Sequence, residues 1–569
     1  MNSQTIKMER DYSALVFWAA AFFMLFWGLG DRQFYVAEGR WAEITREMFI
    51  KHDFFHPTIN WEPYFDKPLL SYWLIALVSI IIGGLNEWSL RLPSAAAGIL
   101  SLWATIDLGK RLWSEEVGRA AGWILLTTYG IIFWSRTGVS DTENLAATIL
   151  AVAWYWSRRE RLEKMKGMET FSTCLIFYLI CFIGAHAKGL TSLVIPIIAL
   201  IPDIFRKGRW RVLFTPGHIA ALAIGIVIYL IPFVYAALTN GHYNENGLAL
   251  VFQENFKRYF EPFDHKEPFY VYFYYLPLLF MPWSPLLISA IAKISSSWRR
   301  LDENTTWLLT VFFLIFLFFT ASGSRRSYYI LPIFPFAALL AAVFLNGEYG
   351  WRRTTIAIQT TLVLIASIIE ILSPGIVSVM IKPLQLYAPL DLKIATAAIG
   401  FMAALPWILT RSRPNILRSV TGAGQNIAPL VLSVAVIMGG LFCVQLNMLD
   451  QYRTERAFIN EVRQKMAGIP QDSIAFYPKT ITNLVFYLGV PGRITILKDT
   501  DAVRSFLHKD NGEKLIITTK RYEGELIPAL PADIARNPAV QESVDPWERG
   551  KGKIQAKHIA WGVDGPARK

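Results

Sequence analysis

The sequence predicts an α-helical, polytopic membrane protein with about 13 transmembrane helices, followed by a small α/β domain on the outer side of the membrane. Of its 569 residues 53% are hydrophobic, and the mean hydropathy is +0.34, which is typical of a chain that crosses a membrane many times. Apolar runs near the length of about 20 residues that a spanning helix needs recur between residues 14 and 447. After residue 450 the apolar runs shorten and turn residues separate them.

The first apolar run, residues 14–30, follows a short tail that carries Lys7 and Arg10. It lacks a small-residue cleavage site, so we expect a retained signal anchor. Clusters of Lys and Arg mark cytoplasmic loops and order the later runs. They lie at residues 110–119, 158–166, 206–211, 299–300, 352–353 and 411–418. The predicted spans are residues 14–30, 91–110, 119–135, 143–157, 171–186, 189–205, 213–237, 271–293, 305–322, 327–346, 354–373, 392–410 and 428–447.

One apolar segment, residues 69–84, breaks the alternation because it is short and has no basic flank at its end. Counting it as a span would place Lys110 outside and Asp141 inside, against the positive-inside rule. We therefore predict a helix in the outer interface, a depth that suits Tyr72 and Trp73. The transmembrane domain then covers residues 1–447, and its first outer loop, residues 31–90, carries interfacial helices.

Residues 448–569 are predicted to form the outer α/β domain, whose length of about 120 residues suits an independent core. Residues 453–466 have helical spacing of apolar side chains. Short β-type runs are predicted at residues 473–477, 484–488, 493–497 and 514–518.

Composition excludes several other classes of site. Cys174, Cys181 and Cys443 all fall in predicted spans, so no disulfide framework or zinc motif is indicated. The formal charge of +12 is dispersed over cytoplasmic loops, where it orients the protein and meets anionic lipid. Nucleic acid is therefore excluded as a partner.

Charged residues of the predicted outer loops form the candidate site. Ionised groups beside a bilayer are costly and are usually retained for a task. Carboxylates can deprotonate an acceptor, and cations can hold a phosphorylated ligand. The candidate catalytic residues are Asp141, Glu38 and Glu143, and the candidate substrate-binding residues are Lys67, Arg40, Lys188, Arg258, Arg325, Arg326 and Tyr328. A divalent metal cation is a candidate cofactor with Asp66 and His265 as ligands, although no ligand spacing requires one.

Each candidate also has a purely structural interpretation. Glu38 could pair with Arg40, and Asp141 could cap the helix that follows it. Lys67 could extend to the interface. Arg325 and Arg326 run against the positive-inside trend, so we expect an anionic group to compensate them.

Five stretches in one order resemble the polyprenyl-phosphate-sugar-dependent membrane glycosyltransferases, a family with the GT-C fold. The family includes the lipid A aminoarabinose transferase and the protein O-mannosyltransferases. The stretches are Ala37-Glu-Gly-Arg-Trp-Ala-Glu-Ile-Thr-Arg-Glu-Met, Tyr64-Phe-Asp-Lys-Pro, Asn86-Glu-Trp-Ser-Leu-Arg-Leu-Pro-Ser, Ala187-Lys-Gly-Leu and Tyr328-Tyr-Ile-Leu-Pro.

The resemblance implies an inverting transfer of a sugar from a lipid phosphate, with Asp141 as catalytic carboxylate and Lys67 at the donor phosphate. Lys188 and the pair Arg325 and Arg326 would lie near anionic groups. The family's first motif usually has Asp-Glu, whereas this chain has Ala37 before Glu38. Either Glu38 or Asp141 takes over, or the acceptor needs little deprotonation, as a phosphate would.

We therefore expect an inner-membrane glycosyltransferase that moves a sugar from an undecaprenyl-phosphate donor to lipid A, lipopolysaccharide or another envelope acceptor on the periplasmic side. One alternative is a protein O-mannosyltransferase, which shares the first-loop motifs. A lipid flippase or secondary transporter is the other alternative. It is disfavoured because the sequence has no evident internal repeat and its charges lie at the outer ends of spans.

Overall fold

The computed structural model describes residues 12–35, 37–162, 164–239, 257–260, 266–372, 390–412, 414–422, 427–450, 455–509, 512–542 and 558–563. Eight of the described helices are long and apolar enough to cross a membrane. Shorter apolar helices accompany them. The prediction of a mostly helical, multi-pass membrane protein is confirmed.

The first half of the membrane part contains ten helices among the described residues. They are α1 (Ser13–Phe26), α2 (Glu38–Lys51), α3 (Leu70–Ile82), α4 (Glu87–Leu112), α5 (Glu115–Leu126), α6 (Tyr129–Ser135), α7 (Asp141–Arg158), α8 (Met168–Ala187), α9 (Thr191–Arg206) and α10 (Pro216–Thr239). A 3-10 helix, Arg209–Phe214, joins α9 to α10.

The second half continues this pattern. Its helices are α11 (Val271–Leu279), α12 (Ser284–Ser296), α13 (Glu303–Ala321), α14 (Phe334–Asn346), α15 (Arg352–Leu372), α16 (Leu390–Ser412), α17 (Pro414–Thr421), α18 (Ala428–Gly440) and α19 (Leu446–Asp450). A 3-10 helix, Ser327–Ile333, precedes α14, and a π-helical turn, Leu441–Gln445, joins α18 to α19. A three-residue helix, Arg258–Phe260, lies between α10 and α11.

Two predicted spans are interrupted helices that meet each other. Residues 119–135 divide into α5 and α6, and residues 271–293 divide into α11 and α12. At the first break, the Thr127 hydroxyl donates to the Trp123 carbonyl at 2.7 Å and accepts from the indole of Trp283 at 2.8 Å. The backbone N–H of Tyr129 donates to the Met281 carbonyl at 2.8 Å. Each break thus satisfies the other's polar groups, as irregular backbone inside a membrane protein requires.

The first loop holds α2, a short antiparallel hairpin and α3. Strands β1 (Thr58–Ile59) and β2 (Glu62–Pro63) form the hairpin. Helix α3 occupies the segment that the charge rule excluded from the spans, so its helical structure agrees with the sequence analysis. The structure contains no membrane, and the interfacial position of α3 stays a prediction.

The C-terminal part contains α20 (Glu455–Met466), α21 (Thr482–Leu488) and α22 (Thr500–His508) around a five-stranded sheet. The strands are β3 (Ile474–Tyr477), β4 (Thr495–Ile496), β5 (Lys514–Thr519), β6 (Val540–Gln541) and β7 (His558–Val563), in the order β4-β3-β5-β7-β6. Strand β3 is parallel to β4 and β5, whereas β7 is antiparallel to β5 and β6.

Apolar residues alternate along these strands and bury both faces of the sheet. One core contains Phe458, Val462, Ile474, Phe476, Leu484, Leu488, Leu515, Ile517 and Ala560. The opposite core contains Ala475, Tyr477, Val503, Phe506, Ile516, Leu526, Ile559 and Trp561. Helices α20 and α21 therefore cover one face, and α22 covers the other.

The structure corrects one predicted strand and adds two. Residues 484–488 are part of helix α21, because Leu484, Val485 and Leu488 share one buried helical face and Gly489 ends the helix at a φ of +66°. Strands β6 and β7 were missed. Both lie beyond the last run in which the sequence signalled a strand, and β7 is held mainly by pairing along the whole length of β5.

The C-terminal part docks on the first loop through helix α21 and the segment that follows it. The Asn60 side chain exchanges two hydrogen bonds of 2.8 Å with the backbone of Ile494. Arg46 donates to the Val490 carbonyl at 2.9 Å. The Tyr487 ring stacks on Phe34 with centroids 4.8 Å apart. The position of α2, which carries part of the candidate site, thus depends on the C-terminal part.

Candidate functional site

Glu38, the first residue of α2, lies in a buried ion pair with Arg91 of α4. Arg91 Nε donates to Glu38 Oε1 at 2.7 Å, and Nη2 donates to Oε2 at 2.8 Å. The backbone N–H groups of Gly138 and Tyr35 complete the shell at 2.7 and 2.8 Å. Arg91 also donates to the Leu29 carbonyl at 2.8 Å. The ion pair and its backbone hydrogen bonds therefore connect α2, α4, the segment after α1 and the turn before α7.

Opposing effects set the pKa of Glu38. Burial acts to raise it, but the Arg91 guanidinium and the backbone donors outweigh burial and hold the pKa of this carboxyl below its ordinary value. Because Glu38 is 1% exposed and both oxygens accept two hydrogen bonds, its geometry suits a positioning residue better than a base. Its predicted catalytic role is not tested by this geometry and stays a prediction.

A second ion pair joins α2 to the segment between β2 and α3. Arg40 donates to Asp66 Oδ2 at 2.8 Å and to the Tyr64 hydroxyl at 2.9 Å, and it lies over the Trp41 ring at 4.6 Å. Lys67 Nζ lies 3.8 Å from Asp66 Oδ2. Burial acts to lower the pKa of Arg40, but Asp66 raises it above its ordinary value. Two cations therefore share one carboxylate at this edge of the first loop.

Asp141 and Lys188 form the third cluster, at the shared end of two neighbouring helices. Asp141 begins α7, and Lys188 directly follows the last residue of α8. The carboxylate therefore lies at a helix N-terminus and the ammonium at a helix C-terminus, where the helix dipoles favour them. Lys188 Nζ donates to Asp141 Oδ1. The same Nζ lies 5.0 Å from the ring centroids of Tyr328 and Tyr329, within cation–π range.

Glu143 lies one residue beyond Thr142 on α7 and faces α4. It accepts a hydrogen bond of 3.0 Å from the Ser94 hydroxyl at Oε1. Its Oε2 atom is buried and has no hydrogen-bond partner in the described part of the chain. Glu143 interacts electrostatically with both Asp141 and Lys188. It thus lies beside the Asp141–Lys188 pair, with one oxygen uncommitted.

The other predicted cations have different environments. Arg325 donates to the Thr320 carbonyl at 3.0 Å and to the Glu267 carbonyl at 2.6 Å, so it caps the end of α13. For Arg326, no carboxylate partner is found among the described residues. The Arg258 side chain and His265 lie outside the described residues.

These clusters converge near Tyr328. Electrostatic interactions connect Tyr328 to Asp141, Arg326 and Arg40, which come from three separate parts of the sequence. The Tyr328 ring also packs against Trp134 with centroids 4.6 Å apart. The structure thus brings together a carboxylate, several cations and an aromatic wall at one end of α7. This arrangement can hold an anionic leaving group beside a carboxylate.

The predicted metal ligands lie among groups that are already paired or outside the described residues. Within the described ranges, no group of three or more His, Cys, Asp and Glu side chains is placed to hold a metal ion. Asp66, one of the two predicted ligands, is already neutralised by Arg40 and Lys67. His265 lies outside the described residues, so the predicted metal site with Asp66 and His265 stays a prediction.

Sequence reasoning missed three residues of the site: Arg91, Tyr64 and Tyr329. Arg91 carried a usable signal, because a cation at the start of an apolar run needs a buried anion. Tyr64 and Tyr329 gave no such signal. They contribute a hydroxyl to Arg40 and a ring face to Lys188, and such contacts depend on the tertiary structure.

Comparison with known proteins extends these observations. The profile of the dolichyl-phosphate-mannose-protein mannosyltransferase family matches residues 66–236. The undecaprenyl phosphate-α-4-amino-4-deoxy-L-arabinose arabinosyl transferase of Enterobacter sp. (strain 638) is 27% identical over 453 residues, which are 75% of each chain. The corresponding transferase 1 of Pseudomonas fluorescens (strain Pf0-1) is 26% identical over 447 residues, 74% of this chain and 72% of the relative.

Among solved structures, ArnT from Cupriavidus metallidurans bound to undecaprenyl phosphate superposes on this chain with a TM-score of 0.72. The match covers 97% of this chain and 99% of that one at 17% identity. At this identity the similarity shows a shared fold.

Proposed function

We propose that this chain, which belongs to the polyprenyl-phosphate-sugar-dependent membrane glycosyltransferases and has their GT-C fold, transfers a sugar from undecaprenyl phosphate to lipid A. The predicted family and glycosyltransferase class are confirmed by the matching profile, relatives and fold. The relatives' names specify 4-amino-4-deoxy-L-arabinose. We propose it as the donor sugar to test first, with a phosphate group of lipid A as acceptor.

The observation that carries this proposal is the Asp141–Lys188 pair beside Tyr328 and the first-loop cations. When the bond between the sugar and the donor phosphate breaks, negative charge grows on the leaving phosphate. In this proposal Lys188, Arg40 and Lys67 stabilise that charge; Lys188 lies over the Tyr328 ring, and Arg40 and Lys67 lie beside Asp66. A phosphate acceptor needs little deprotonation near neutral pH, which suits a chain with Ala37 where the family usually has Asp.

In this proposal Asp141, Glu143 and Glu38 have different roles. Asp141 holds Lys188 through Oδ1 and presents its other oxygen to the acceptor, as a general base or an orienting group. Glu143, two residues further along α7, acts on Asp141 through its charge, and Glu38 positions α2 through Arg91. The acceptor oxygen forms the new bond to the anomeric carbon on the face opposite the departing phosphate, which inverts the configuration.

Topology and domain organisation complete the proposal. We propose 13 spans with the N-terminus in the cytoplasm, α3 in the outer interface, and the Asp141 end of α7 on the periplasmic side of the inner membrane. The division falls between a transmembrane domain, residues 1–447, and a periplasmic α/β domain, residues 448–569. The five-stranded sheet with its own two cores supports this division.

The experiment is mass spectrometry of lipid A and of envelope protein from cells with and without the gene. We expect lipid A to carry the added sugar only when the gene is present. The glycosylation of envelope protein should be the same with and without the gene. Glycosylated protein that disappears on deletion, with lipid A unchanged, would instead identify a protein O-mannosyltransferase. The predicted cation is tested with the purified protein, whose transfer activity is measured with a chelator and again with added Mg²⁺.

A further inference from the structure

A groove lies at the end of α7 opposite to Asp141. Helices α7, α8 and α9, the 3-10 helix Arg209–Phe214 and the start of α10 enclose a cavity of about 140 Å³. Helix α7 has 18 residues and is therefore about 27 Å long. The groove and the candidate active site are thus separated by nearly the full hydrocarbon thickness, which is about 30 Å.

The wall of the groove is apolar and opens toward the lipid-facing surface. Its lining includes Cys174, Phe177, Leu200 and Ile201, and Ile201 is 42% exposed. A dry, apolar cavity of about 150 Å³ is large enough to bind a small hydrocarbon such as benzene. The size and lining of this groove therefore fit part of an acyl chain.

The rim of the groove is basic and contains interfacial aromatic residues. Arg158 and Arg209 line it, and Arg211 lies in the same 3-10 helix as Arg209. Phe205 and Trp210 are 65% and 46% exposed, as expected for side chains at the membrane interface. Charge at this rim therefore favours an anionic headgroup at the membrane surface.

A buried ionic network fixes one side of this rim. Asp203, which is 4% exposed, accepts from Arg209 at 2.8 Å and from the Tyr155 hydroxyl at 2.5 Å, and it lies 3.2 Å from Arg159. Arg158 has no carboxylate partner in the described part of the chain, and its guanidinium lies over the Trp154 ring at 4.7 Å. Arg158 is therefore available to an external anion, whereas Arg159 is held by Asp203.

We propose that this groove binds an anionic phospholipid of the cytoplasmic leaflet, with one acyl chain between α8 and α9 and the headgroup phosphate at Arg158 and Arg211. The lipid would anchor the cytoplasmic ends of α7 to α10, the helices whose opposite ends carry Asp141 and Lys188. The proposal is independent of the sugar, the acceptor and the transferase reaction.

Native mass spectrometry of the purified full-length protein in equimolar phosphatidylglycerol and phosphatidylethanolamine tests the headgroup. The wild type should retain phosphatidylglycerol in preference, and Arg158→Gln with Arg211→Gln should reduce that preference by about 5-fold per cation removed. The matched control, Arg299→Gln with Arg300→Gln, also removes two arginines, but it removes an exposed pair from another loop. It should keep the preference for phosphatidylglycerol. Equal retention of both lipids, or an equal loss in the control, would overturn the proposal.

The acyl-chain position is tested separately. Ile201→Trp fills the groove and should abolish phosphatidylglycerol retention, whereas Ile288→Trp on α12, which is also exposed, should not. Because a variant can misfold, wild-type protein is also crosslinked with phosphatidylglycerol that carries a photoreactive acyl chain. Crosslinks should concentrate in residues 173–178 and 197–213; crosslinks spread evenly over the lipid-facing helices would refute the groove.

Discussion

At the scale of single residues, the structure separates carboxylates that the sequence presented as equivalent. Glu38 is enclosed by Arg91 and two backbone donors, whereas Asp141 shares only one oxygen with Lys188 in the described part of the chain. The sequence predicted that both lie in the site. It could not predict their roles, because the partner of Glu38 comes from 53 residues further along the chain.

Asp141→Asn should reduce turnover by at least about 10²-fold and leave the thermal unfolding temperature close to that of the wild type. Asparagine has the size of aspartate and keeps a carbonyl oxygen that can accept from Lys188, so it loses mainly charge and basicity. In the described part of the chain, the Asp141 side chain makes no capping hydrogen bond at the start of α7 that the change would remove. The measurements are initial rates and thermal unfolding of the purified protein. Asp107→Asn is the matched control: Asp107 pairs with Arg111 near the C-terminal end of α4, away from the candidate site, and this variant should keep full activity. Near-wild-type turnover by Asp141→Asn would show that the site is wrongly assigned.

Glu38→Gln should destabilise the fold by about 3–5 kcal/mol at pH 7, because it leaves the Arg91 guanidinium buried without its charge partner. The pKa of Glu38 lies below its ordinary value, so its stabilising effect is present above about pH 4.3 and is lost as the pH falls through its folded-state pKa. The gap in stability between wild type and variant should therefore shrink as the pH falls. Thermal unfolding measured from pH 7 down to about pH 2.5 tests this, because the loss falls below the ordinary glutamate pKa of about 4.3.

Arg91→Gln separates a positioning role of Glu38 from a catalytic one. If Glu38 acts by holding α2 in position through its ion pair with Arg91, Glu38→Gln and Arg91→Gln should lose stability and activity in parallel. A stable, inactive Glu38→Gln protein beside an active Arg91→Gln protein would instead identify Glu38 as the base.

At the scale of elements, helix spans were predictable and contacts between distant segments were not. Long apolar runs and basic loops located the helices, because these signals are local. Residues 484–488 were predicted as a strand since a five-residue apolar run fits either structure, and packing of α21 on α2 decided the outcome. Strand β7 pairs with β5 through residues 39 to 49 positions apart, so local pattern alone could not reveal it.

Helices α2 and α21 pack closely at Gly39 and Asn483. A Cβ atom at Gly39 would lie 2.7 Å from the Asn483 backbone Cα, so Gly39→Ala must push the two helices apart. Overpacking of this kind costs about 1–3 kcal/mol, and displacement of Arg40 should raise the KM for the donor. Gly524→Ala, at a site with nothing within 4 Å, is the control and should change neither quantity. An unchanged unfolding temperature for Gly39→Ala would mean that this interface is looser than described.

At the scale of the whole molecule, charge distribution predicts which side of the membrane each part occupies. The three native cysteines are buried, so single exposed cysteines can be labelled selectively. In intact cells with a permeable outer membrane, an impermeant maleimide should label Gly512→Cys and should not label Arg300→Cys. Labelling of both after the inner membrane is permeabilised is the control. The reverse pattern would invert the topology and place the Asp141 end of α7 in the cytoplasm.

We propose sugar transfer at the Asp141–Lys188 end of α7, and turnover by the purified protein measures that transfer itself. Wild-type and Asp141→Asn proteins are each incubated with undecaprenyl phosphate-linked 4-amino-4-deoxy-L-arabinose and lipid A, and the products are identified by mass spectrometry. We expect lipid A carrying the sugar, with release of undecaprenyl phosphate, from the wild type alone. Failure of the folded wild-type protein to transfer sugar from any undecaprenyl-phosphate donor to lipid A or another envelope fraction would contradict it.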